Sequence, residues 1–129
     1  MYSSTDCARA LLDKAPDDGY VLKTLGADPD APDWVLGFHS QQAVAIALKA
    51  VLARHSVEYP RTHNLEMLLE LLRRQGLDLP PDGEALGRLT PFGVTLRYDD
   101  PQDDEKPALD RVLALRAVSQ TIVWADALV

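Results

Sequence analysis

The chain has 129 residues, enough for one domain, and its 26% charged and 47% hydrophobic residues exclude a disordered or fibrous protein. A net charge of −7 and a pI near 4.8 exclude a domain that wraps nucleic acid by neutralising phosphates over its whole surface. The single cysteine excludes an internal disulfide, and Cys7 is expected as a small buried helix residue.

Strand signals are nearly absent, with no alternating β-branched run and no Asn-Gly hairpin turn. Residues 3–25 read as helix, with Ala8, Leu11, Leu12, Ala15, Leu22 and Leu25 on one broad face. Pro16 removes an amide donor and should split it, and Asp17-Asp18-Gly19 suits the first turn of a second piece. GADPDAPD (26–33) breaks the chain, and Pro32 in the first turn with Asp30 as candidate cap opens the next helix. That helix holds FHSQQAVAIALKAVL (38–52), apolar with a polar front, and should run to about Ser56.

VEYPRT (57–62) is a turn in which Pro60 pushes Tyr59 into an extended conformation. Thr62 or Asn64 can cap a third helix over 63–75, where Leu65, Leu68, Leu69 and Leu72 repeat at helical spacing. Arg73 and Arg74 suit the negative end of its dipole, and Gly76 stops it. A fourth helix is expected over roughly 83–97, through Leu86, Leu89 and Val94. The acidic loop RYDDPQDDEKP follows, residues 97–106 summing to −3. Pro107 opens the last helix, with Leu109, Val112, Leu113, Arg116, Val118, Ile122, Val123 and Trp124 as its stripe. The pattern predicts an all-α, up-and-down bundle of four or five helices in a single domain, 1–129. No apolar run approaches the roughly 20 residues of a spanning helix, and MYSSTDCARALLDK lacks a signal-peptide core, so no membrane partner and a cytoplasmic location are expected.

Metal chemistry finds no support, since His39, His55 and His63 form no His-x-x-x-His pair and no Glu-x-x-His motif occurs. Neither glycine-rich phosphate loop is present, and Ser40 lacks the glycines of a nucleophile elbow. No cofactor is implied. Three polar clusters remain: His39-Ser40-Gln41-Gln42 at the front of the second long helix, Arg61-Thr62-His63 before the third, and Arg97-Tyr98 at the end of the fourth. Each has an ordinary structural explanation as well: a buried hydrogen-bond junction, an N-cap at Thr62, and a cation at a helix C-terminus. In an up-down bundle the second cluster lies at the opposite end from the others, about 30–35 Å away at 1.5 Å per residue.

The segments Phe38-His39-x-Gln41-Gln42-Ala43, Leu48-Lys49-Ala50-Val51-Leu52, Tyr59-Pro60-Arg61-Thr62-His63-Asn64-Leu65, Leu68-Leu69 and Arg97-Tyr98 resemble, in this order, the HEPN domain. The similarity covers about residues 5–128. It implies a helical bundle, commonly a homodimer, often encoded beside a minimal nucleotidyltransferase in a toxin–antitoxin pair. Nucleotide binding has been proposed for members, and many others are metal-independent ribonucleases. By resemblance, the nucleotide- or partner-binding residues are His39, Gln41, Gln42, Lys49, Arg61, His63, Arg97 and Tyr98.

The ribonuclease members carry Arg-x4–6-His, which supplies a proton shuttle beside a cation. Here no histidine follows position 63, and neither Arg54 nor Arg61 has one at that interval. The acids beside Arg97 would repel an RNA backbone. Relatives also carry a Glu-Lys pair where this chain has Ala45-Ile46. The expectation is a non-catalytic binding subunit without catalytic residues and without RNA as ligand. Two alternatives stand beside it: a ribonuclease using a set such as Arg61 and His63 across a dimer, and a scaffold that self-associates through its last helix.

Overall fold

The computed structural model describes residues 3–92 and 109–129. These form six α-helices and no strand: α1 (Ser4–Leu12), α2 (Ala15–Leu25), α3 (Asp33–Arg54), α4 (Leu65–Arg74), α5 (Gly83–Gly87) and α6 (Arg111–Leu128). A 3-10 turn, Thr90–Phe92, follows α5. Expectations placed on Val94, Arg97, Tyr98, the acidic run 99–105 and Pro107 lie outside the described residues.

Pro16 divides the first segment as expected, sitting in the first turn of α2 where its missing donor costs nothing. Ser3 caps α1 in a capping box, its side chain accepting from the Asp6 amide while Asp6 accepts from the Ser3 amide. Cys7, expected buried, is exposed, because the face of α1 that meets the core is set by Ala8 and Leu12.

The helix starting at Asp33 is not capped by Asp30. Pro32 holds the N-cap position without a side-chain bond, and the Asp30 amide instead donates to the Asp28 carboxylate in the preceding turn. That turn is clamped from the far end of the sequence. Arg111 donates to the Asp33 carboxylate at 3.0 Å, to the Asp28 carbonyl at 2.7 Å, and to the Ala31 carbonyl. α3 is the hub, with α1, α2, α4 and α6 all packed on it, and Leu36, Val44, Leu48, Val51 and Leu52 are almost fully buried. At roughly 1.5–3 kcal/mol for each large apolar side chain removed from water, this helix carries much of the core.

α3 also corrects the reading that no run approaches spanning length. It is the one described helix long and apolar enough to cross a membrane, but 67% of that apolar window is buried inside the bundle. With two-thirds of the window buried against its neighbours, packing in the bundle accounts for the apolar composition.

α3 and α4 end alike. After α3, the Val57 amide donates to the Leu52 carbonyl and the Ser56 amide to Ala53, with Ser56 in the left-handed region at φ 58°. After α4, Leu77 and Gly76 bond to Leu72 and Arg73 in the same pattern, with Gly76 at φ 67°. α4 starts at Asn64, whose side chain accepts from the Met67 amide. Thr62, the other candidate cap, accepts from the Asn64 amide, and His63 precedes the helix rather than sitting in its first turn.

The expected fourth helix is cut short. α5 spans only Gly83–Gly87, because Pro91 and the glycines cannot sustain α-helical bonding, and the chain tightens into the 3-10 turn that buries Phe92. That ring lies against Gly37 of α3, where any Cβ would overlap it. α6 begins at Arg111, capped by the Asp110 carboxylate on the Leu113 amide, later than the Pro107 start expected. Its core face differs from the expected stripe too. The buried residues are Ala114, Ala117, Val118, Thr121 and Ala125, whereas Val112 and Val123 are 68% and 70% exposed. Small side chains at that spacing let α6 lie close against the alanine-rich α3.

Candidate functional site

The polar front of α3 meets α2 first. Asp18, in the first turn of α2, falls three residues after Ala15 and four before Leu22, so it sits on the apolar face and is only 4% exposed. His39 Nδ1 lies 2.8 Å from Asp18 Oδ1, and Gln42 Nε2 donates to the two carboxylate oxygens at 3.4 and 3.5 Å. Because a carboxylate only accepts, the imidazole proton belongs on Nδ1. Phe38 packs edge-on against the His39 ring, with centroids 5.3 Å apart. The buried charge of Asp18 is thus held by two donors from one turn of α3, as a buried carboxylate requires.

Gln41, one residue away, turns to a different neighbour. It is fully buried, and its Nε2 donates to the His63 carbonyl at 2.6 Å. Eight residues further along α3, Lys49 Nζ sits 5.8 Å over the ring of Tyr59. From Gln41 to Lys49 the helix rises about 12 Å. From Tyr59 to His63 an extended chain covers about 13 Å. The two spans match, so residues 59–63 form a strap running antiparallel along α3.

This overturns the 30–35 Å separation expected between the first two clusters. The turn at Ser56 and the fixed backbone of Pro60 send the chain back along α3, so α4 begins level with Gln41. A short loop between antiparallel helices was the wrong picture of a connection long enough to retrace half of its helix.

On the strap the backbone is anchored and the side chains of Arg61 and His63 are exposed. Burial holds the Lys49 ammonium below the ordinary lysine value. Burial also pushes the Tyr59 phenol up, with the neighbouring Cys7 adding to the effect. Between the strap and α4 runs a groove of about 540 Å³, lined by Pro60 and Asn64 on one side and by Glu66, Met67, Glu70, Leu71 and Arg74 on the other. A smaller hollow of about 220 Å³ separates α5 and the 3-10 turn from α6, away from all of these residues.

The structure therefore unites Gln41 with His63 and Lys49 with Tyr59, and places His39 and Gln42 on a different face of α3. Arg97 and Tyr98 lie outside the described residues. The partner missing from the sequence reading is Asp18, and an acid on the apolar face of α2 was the signal that could have found it. Ser40 Oγ and Gln41 Oε1 are buried without a hydrogen-bond partner among the described residues. Among those residues no three His, Cys, Asp or Glu side chains converge as metal ligands.

The HEPN domain matches residues 31–122, from just before α3 to the last third of α6 and more than two-thirds of the chain. No curated protein and no solved structure matches it. The matched span is narrower than the 5–128 read from the motifs, and it leaves out α2, which supplies Asp18. With the all-α bundle and the matched span in agreement, the chain belongs to the HEPN domain family.

Proposed function

We propose that this chain is a non-catalytic HEPN binding subunit, cytoplasmic and homodimeric, that associates with a nucleotidyltransferase-like partner in a two-gene, toxin–antitoxin-like system, with a nucleotide as ligand. The observation that supports it most is how the polar front of α3 is used. His39 and Gln42 are engaged by Asp18, and Gln41 is engaged by the His63 carbonyl, so these side chains build the fold rather than a proton shuttle. The sequence adds no Arg-x4–6-His motif to replace them. Exposed Val112 and Val123 on the outer face of α6 support self-association. Co-purification with the product of an adjacent nucleotidyltransferase gene, and a nucleotide-dependent rise in melting temperature, are the expected results. Recovery of the chain alone, with no nucleotide effect, overturns the reading.

One observation favours a second reading. Arg61 and His63 are both exposed on the same strap, as a cation and an imidazole for RNA cleavage across a dimer would need to be. Cleavage of RNA that is lost in His63→Ala would establish it, and clean protein that leaves tRNA and mRNA intact would remove it.

A further inference from the structure

We draw no further inference here: the strongest candidate, the apolar patch that Val123 and Trp124 of α6 form with Pro81, is open to solvent, and nothing in the structure shows what covers it.

Discussion

Gln41 and Gln42 are the same side chain one residue apart on α3, yet they secure the helix to different parts of the molecule. About 100° of helical rotation separates them. Gln42, part-exposed, reaches a side-chain carboxylate on α2, while Gln41, fully buried, reaches a backbone carbonyl on the strap. The α2 seam depends on which residue stands at position 18. The strap junction depends only on where the chain runs, since every residue offers a carbonyl. A contact to backbone is thus robust to sequence on one side and entirely dependent on the glutamine on the other.

The largest expected effect follows from that asymmetry. Gln41→Ala removes a fully buried amide and leaves a cavity, so it should cost about 2–4 kcal/mol in urea unfolding, with faster amide exchange in residues 57–64. A cost below about 1 kcal/mol would show that the strap holds without it. Asp18→Ala should cost less, about 1–3 kcal/mol, because His39 and Gln42 are part-exposed and can turn to water. Asp18→Asn should recover part of the loss by keeping an acceptor. If the order of the two sites reverses, the α2 seam is the stronger of the junctions.

Smaller is the effect at the turn that launches the strap. Ser56 adopts the left-handed conformation that Gly76 adopts at the equivalent place after α4. Ser56→Gly should raise stability by about 0.5–1 kcal/mol, and Gly76→Ala should lower it by about 1 kcal/mol, both read from the urea midpoint at constant slope. Smallest is the pH dependence of the Lys49–Tyr59 contact. Lys49 has a folded pKa below its unfolded value, so the unfolded chain holds more protons between the two, and stability rises with pH up to about 10.4. Tyr59 is raised in the fold, so the unfolded chain loses its phenolic proton first, and stability falls as pH climbs past about 10. Tyr59→Phe should remove that fall and leave the lysine's rise in place, which a set of melting curves between about pH 8.5 and 11 would read, a window that spans the ordinary values of both groups.

Much of this was legible in the residues. The helices showed through their leucine spacing, the caps at Asn64 and Gly76 through local chemistry, and the family through Phe38–Ala43 and Tyr59–Leu65. What escaped shares one physical cause. Asp18 on His39, Gln41 on the His63 carbonyl and Arg111 on residues 28–33 are contacts between positions 21 to 83 residues apart, and no local period encodes them. The face of α6 escaped for a related reason. The large apolar residues suggested a stripe, but close approach to α3 favours Ala114, Ala117 and Ala125, so the bulkier Val112 and Val123 point outward.

The order of the helices along the chain has a consequence for synthesis. α3 is a 22-residue helix apolar enough to pass for a membrane span, and on its own it would be a hazard as it leaves the ribosome. Two of the helices that cover it, α1 and α2, are made before it and are ready to dock as it emerges. The face kept for α6 stays uncovered until that helix has been made, and with it the turn at 28–33 waits for Arg111. A nascent chain halted before residue 111 would therefore expose one greasy strip and an unclamped turn, the places where a holding chaperone would first take hold.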